Sequence, residues 1–202
     1  MSYKDLKLED LRLKFGITNQ IGKLFSNITP IEPNEILKSI LETNKKLPMR
    51  TEKAKSEFIV APILVDLKRT NDDFFTLYSG EILNADSQSG LIGECDFLIT
   101  KNTNTFEISS PIFSVVEAKK NDTELGIHQC AAQMVGIKAF NEKNSNPVNI
   151  IYGCVTTADD WRFLKLENNC ITVDDETYYF KELNKILGVF QAILDSYKNS
   201  SA

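Results

Sequence analysis

Two apolar stretches carry charge where their patterning demands burial, and this constrains the chain more than any other feature. Leu91–Thr100 (LIGECDFLIT) reads as a strand with Asp96 inside it, its positions Leu91, Gly93, Cys95, Phe97 and Ile99 sharing one face. Pro111 opens a further strand, Ile112–Lys119, which ends in Glu117-Ala118-Lys119. Strand side chains alternate, so Glu117 and Lys119 project from the same side, about 7 Å apart. If the two strands pair as a hairpin, Asp96 comes beside Glu117. Two neighbouring carboxylates repel, and burying them costs several kcal/mol unless a cation compensates. Mg²⁺ or Mn²⁺, a hard ion held by one or two carboxylates and water, suits that task. The alternative is a solvated Asp96 beside a cross-strand ion pair of Glu117 and Lys119 at an exposed strand end.

The segments around these strands define an α/β chain. Before them, the spacing predicts a short helix over Tyr3–Phe15 ended by Gly16, and a second short helix or turn over Ile17–Ile28. A helix is predicted over Glu32–Lys46, acidic early and lysine-rich late as the helix dipole prefers. Thr51–Leu67 is a helix with one buried stripe (Ile59, Val60, Ile63, Leu64, Leu67), kinked by Pro62. Glu57 precedes Val60 and Leu64 by three and seven positions and is expected to look along that face toward the core. The period then switches. Phe74–Leu83 reads as a strand, Lys101–Asn104 as a polar turn, Glu124–Asn141 as a helix rich in small residues, and Pro147–Val155 as a buried strand. Arg162–Leu166 and Ile171–Phe180 read as strands around a Glu167-Asn-Asn turn, and Lys181–Lys198 as an amphipathic helix. The order α-β-β-β-α-β with flanking elements is a mixed α/β sandwich. The division expected is an N-terminal helical extension over 1–50 packed on a core over 51–202.

An acid in one apolar strand, E-x-K at the end of the next and a glutamine-bearing helix after it resemble the PD-(D/E)XK, or restriction-endonuclease-like, nuclease superfamily. The match is Asp96 followed by Glu117-Ala118-Lys119, with Cys95 where the family nominally has proline. The likeness extends to stand-alone bacterial and cyanobacterial members of unassigned role, through VEAKKNDTELGIHQC and TTADDWRFLKL. The resemblance implies a restriction-endonuclease-like αβββαβ core and Mg²⁺-dependent (or Mn²⁺-dependent) hydrolysis of phosphodiester bonds, with DNA the expected nucleic acid. It makes Asp96 and Glu117 metal ligands with Glu57 added from the upstream helix, and Lys119 the residue that assists the attacking water. Gln129 is the glutamine expected to support the site, ahead of Gln133 one turn later. The rival reading is a catalytically silent member of the same fold that binds nucleic acid or protein. A homodimer, with the C-terminal amphipathic helix as interface, or a larger restriction or repair assembly are the partners considered.

Charge and composition narrow the field further. The chain nets −5 and its pI is near 5.1, without the overall basic footprint of a dedicated nucleic-acid binder. The charge is uneven: residues 1–55 hold 11 Lys and Arg against 7 Asp and Glu. That places the amino-terminal part near a phosphate backbone, unless it simply reflects solvated helix faces. No apolar run approaches the roughly 20 residues that span a bilayer, and the first residues lack a signal-peptide core, so a cytoplasmic location without membrane contact is expected. Cys95, Cys130, Cys154 and Cys170 form no CxxC pair and only His128 could help them, which disfavours structural zinc. Trp161, beside Phe163 and Leu164, is read as packing, with base stacking and an Arg162–phosphate contact as the alternative. P-loop, GxGxxG and GxSxG motifs are absent.

Overall fold

The computed structural model describes residues 1–71, 74–101, 103, 105–121 and 123–199. At the amino terminus a 3₁₀ turn, Tyr3–Asp5, leads into α1 (Leu8–Phe15). Gly16 ends α1 in the left-handed region, φ 67°, and donates its N–H back to Arg12. The expected helix or turn over Ile17–Ile28 is instead a strand, β1 (Thr18–Gly22). It pairs in parallel with Cys170–Asp174, Thr18 opposite Cys170. Residues 18–21 are all exposed, so no hydrophobic period marks them; a partner some 150 positions away makes them a strand. The segment 1–50 is therefore not purely helical, and Tyr3, Leu6, Leu11 and Ile17 are buried in the core. Next, α2 (Glu35–Asn44) starts at Asn34, whose side-chain oxygen accepts from the Ile36 and Leu37 N–H groups.

The Thr51–Leu67 helix appears as three joined pieces. These are α3 (Glu52–Lys55), a π turn (Ser56–Val60) and α4 (Ala61–Thr70). Pro62 has no N–H to give the carbonyl four residues back. That carbonyl, on Phe58, accepts instead from the Asn44 side chain at 2.8 Å, and Ala61 bonds one residue further back, to Ser56. The extra residue of a π turn rotates α3 by roughly 100° relative to α4. Ile59, Val60, Ile63, Leu64 and Leu67 are buried as expected, but Glu57 is 54% exposed and does not face the core.

The remaining elements are β2 (Thr76–Asp86), β3 (Leu91–Thr100), β4 (Ile112–Ala118), α5 (Thr123–Lys143) and β5 (Ile150–Thr156). They are followed by β6 (Asp160–Glu167), β7 (Cys170–Asp174), β8 (Tyr178–Tyr179) and α6 (Leu183–Asn199). The polar turn after β3 contains Asn102 and Asn104, which lie outside the described residues. Asn168 and Asn169 both take positive φ (49° and 59°), which turns β6 tightly into β7. The predicted strand to Phe180 breaks at Asp174, and only Tyr178–Tyr179 returns to pair with β6.

All eight strands join one mixed sheet ordered β1-β7-β6-β5-β4-β3-β2, with β8 also on β6. The β2–β3 and β3–β4 pairs are antiparallel; β4 and β5 are parallel, with α5 as their crossover. One face of the sheet packs on α1, α5 and the first turn, burying Tyr3, Cys95, Val115, Met134 and Val155. The other packs on α2, α4 and α6, burying Ile63, Phe97, Phe113, Trp161 and Phe190. Covered on both sides, β4 is buried at every position, which explains its largely apolar sequence, interrupted only by Ser114 and Glu117. The glycines of α5 permit close approach: a Cβ on Gly136 would stand 2.7 Å from the Tyr3 ring. Trp161 is fully buried, donates to the Ala158 carbonyl at 3.1 Å and meets Phe190 edge-on. The apolar stripe of α6, including Ile186, Val189, Phe190 and Ile193, is buried within the chain, so it is not the free dimer surface considered from sequence. Among the described residues, no helix is long and apolar enough to cross a membrane.

Candidate functional site

The central feature of the site is the end of β4. Glu117 is its penultimate residue and only 2% exposed. Beyond it, Lys119 continues the parallel register by donating its backbone N–H to Thr156 O at 2.7 Å. The Lys119 side chain folds back, and its Nζ meets Glu117 Oε1 at 2.5 Å. The other carboxylate oxygen, Oε2, accepts from Gln133 Nε2 of α5 at 2.7 Å. Glu117 and Lys119 do form an ion pair, but within one strand and mostly buried, unlike the exposed cross-strand pair considered as the alternative.

Asp96 joins this cluster through an irregularity in β3. Cys95 packs on the α5 side and Phe97 on the opposite side, although two residues of a regular strand share a face. The alternation slips between them, which corrects the expectation that positions 91, 93, 95, 97 and 99 are equivalent. On β2, pairing runs from Ser79↔Phe97 to Glu81↔Cys95, and the intervening Gly80 takes φ 68°. A residue without a Cβ takes that conformation without steric penalty. Released from the ladder, the Asp96 carboxylate caps the Ala118 N–H through Oδ2 at 2.7 Å.

Burial sets the electrostatics. It lifts the Glu117 carboxyl, the nearby Asp96 lifts it further, and the Lys119 ammonium and Gln133 amide only partly offset this, leaving it pushed up to about 7. Asp96 is also raised by burial, against the pull of the Ala118 N–H and Lys119. Burial opposes the charge on Lys119, but Glu117, Glu52 and Asp96 outweigh it and hold the ammonium above its ordinary value. The cluster holds more negative charge than Lys119 alone neutralises.

It opens on a cleft of about 330 Å³ lined by Glu52, Ser56, Glu57, Ser79, Glu94 and Asp96, among others. Glu52 is the acid that sequence reasoning missed. Its Oε1 lies 3.7 Å from Lys119 Nζ, and its Oε2 accepts from the Lys120 N–H at 3.2 Å. In sequence it is hidden as an ordinary first-turn acid of a short helix. Glu57 stands on the cleft rim, 3.7 Å from Lys53, rather than against Asp96 or Glu117. The helix amide at Glu117 is Gln133, not Gln129, which is half-buried one turn earlier. Glu94 is exposed at the cleft. Asp86 caps the turn at Gln88 and Ser89. His128 accepts from the Leu8 N–H at 3.4 Å, and Arg162 donates to the Asp174 carbonyl at 2.8 Å, so both are used structurally.

Among the described residues, no three His, Cys, Asp or Glu form a metal-ligand group. What the cluster offers is two desolvated carboxylates, hard oxygen donors that fit an ion held by one or two acids and water. Gln133 Oε1, buried and without a hydrogen-bond partner, is a further oxygen beside them. Glu57 is not part of that donor set. The Lys119 ammonium compensates Glu117 in this arrangement, and a cation would take over that role. Compared with known proteins, the chain matches no family model, no curated protein and no solved structure.

Proposed function

We propose that the chain is a metal-dependent phosphodiesterase of the PD-(D/E)XK type that acts on DNA. One observation carries the reading: two acids raised by burial, Asp96 bonded to the Ala118 N–H and Glu117 to Lys119, converge with that amine at the end of β4, beside an acidic cleft. The element order supports it. The run α4-β2-β3-β4-α5-β5, antiparallel to β4 and then parallel to β5, follows the αβββαβ order that the resemblance implies.

Asp96 and Glu117 would hold Mg²⁺ or Mn²⁺, which supplies Lewis acidity and lowers the pKa of bound water. Gln133 fixes the Glu117 carboxylate from the side opposite Lys119. While both acids face it, Lys119 stays an ammonium. Its part is then to orient the attacking water and neutralise charge growing on the phosphate, rather than to remove a proton. Glu52, 3.7 Å from the same ammonium, gives it an alternative partner when Glu117 turns to a cation.

The test is a cleavage panel on plasmid, linear duplex, single-stranded DNA and RNA, with Mg²⁺ or EDTA, run beside Glu117→Ala and Lys119→Ala. Both variants should lose cutting while keeping the wild-type circular dichroism. Metal-independent cleavage of equal rate in wild type and both variants would falsify the reading. One observation favours the silent-fold alternative: Lys119 pairs directly with Glu117. Calorimetric titration separates the two, since a silent fold takes up no Mn²⁺.

A further inference from the structure

A trough beside α3 has the chemistry of a strand-binding track. It consists of two adjoining depressions, about 280 Å³ and about 230 Å³, which share Lys45 and Phe180. The first is lined by Lys55, Met49 and Ile59, and the second by Lys38 and Lys181. Lys45 Nζ lies 4.6 Å from the centre of the Phe180 ring, and Lys181 Nζ lies 5.4 Å from that of Tyr179, which is 44% exposed. Aromatic faces interleaved with ammonium groups suit unpaired bases, whose flat faces stack while the phosphates meet the cations. The local charge agrees. Residues 45–55 carry Lys45, Lys46, Arg50, Lys53 and Lys55 against Glu52 alone. Asp159, the acid lining the first depression, lies 3.5 Å from Lys55, and Glu42 is the acid lining the second, against Lys38, Lys45 and Lys181.

The trough and the acidic cleft adjoin. Glu52 and Lys53 of α3 line the cleft, and Lys55 of the same helix lines the trough. Lys55 Nζ also donates to the Lys120 carbonyl at 3.0 Å, one residue past Lys119.

We propose that this trough binds a single-stranded polynucleotide, with the exposed Tyr179, beside Lys181 at its edge, offering a ring face to its bases and Lys45 and Lys181 meeting its phosphates. The placement beside the cleft rests on the nuclease reading, and it makes the substrate unpaired next to the scissile phosphate. A paired base offers no free face, so a duplex gains only the electrostatic part.

The test is fluorescence anisotropy of the full chain with a labelled oligothymidylate and with a duplex of equal length, in EDTA at several salt concentrations. The oligothymidylate should bind more tightly than the duplex. Lys45→Glu with Lys181→Glu should weaken it at least about tenfold and reduce the salt slope by roughly 1.4, at about 0.7 per phosphate contact. Tyr179→Ala should weaken it about tenfold. Thermal unfolding of each variant separates these losses from misfolding. Equal binding of duplex and single strand, or unchanged affinity and salt slope in the folded lysine variant, overturns the proposal. Cutting by wild type together with unaffected binding by the lysine variant sinks the trough and leaves the nuclease reading standing. The binding pattern without any metal-dependent cutting leaves the trough standing and sinks the nuclease reading.

Discussion

Replacing Glu117 with glutamine isolates the charge at the centre of the cluster. Burial first, and Asp96 second, raise its carboxyl from an ordinary 4.5 to about 7. Between those values the folded protein keeps a proton that the unfolded chain has released. As far as this group is concerned, stability is fully present below pH 4.5 and is lost as the pH rises through about 7. A displacement of that size amounts to about 3 kcal/mol at roughly 1.36 kcal/mol per pH unit. Domains of ordinary stability hold only about 5–15 kcal/mol, so the effect is large enough to measure. Glu117→Gln keeps the side-chain shape and an oxygen for Gln133, and it removes the titration. Lys119 loses one partner but retains Glu52 and Asp96 nearby. In urea unfolding from pH 4.5 to 8, wild type should lose about 3 kcal/mol more than the variant. Asp96 is raised in both proteins and largely cancels in the comparison. A divalent cation reverses the preference, because it favours ionised carboxylates. At pH 8, Mg²⁺ at ten times its Kd should add about 1.4 kcal/mol to wild type and little to the variant. Parallel pH curves would refute the buried, raised acid. Equal Mg²⁺ stabilisation of both proteins would refute an ion at Glu117.

Three further perturbations probe the supports of the site. Gln133→Leu removes a bond to a charged acceptor worth about 1.5–3 kcal/mol. The acid limb of the pH–rate profile should move upward and activity at neutral pH fall about tenfold; an unmoved limb means Gln133 does not tune Glu117. Asn44→Ala strips the Phe58 carbonyl of its donor and should lower Tm by roughly 2–4 °C for about 1 kcal/mol. Adding Pro62→Ala supplies a new N–H four residues on, so failure of the double variant to recover Tm would contradict this account of the π turn. Gly136→Ala pushes a methyl group into the Tyr3 ring and should cost about 1–3 kcal/mol. Proteolysis near the amino terminus reads it out, and an unchanged cleavage pattern would show that Tyr3 does not depend on that space.

Local chemistry was enough for part of this molecule. β3 spans Leu91–Thr100 in the sequence pattern and in the sheet alike, because a buried strand bounded by turn residues leaves little freedom. Gly16 ends α1 because the left-handed conformation there favours glycine. That Glu117 and Lys119 share a side follows from strand alternation and needs no tertiary information. Other features depend on contacts between distant segments. β1 has no hydrophobic period of its own and exists through pairing with residues about 150 positions later. Glu52 and Glu57 both lie in the same helical run, and the π turn forced by Pro62 decided which one reaches Lys119. Gln129 and Gln133 lie one turn apart on α5, and the sequence pattern favoured Gln129; the seating of α5 on the sheet, close enough to exclude a Cβ at Gly126 and Gly136, selected Gln133 instead. The turn of Asp96 toward Ala118 came from the break in side-chain alternation between Cys95 and Phe97, opposite Gly80, where the two sheet faces are packed by different helices. Periodicity within a segment reports which face is buried, whereas the identity of the neighbour on that face is set by packing between segments.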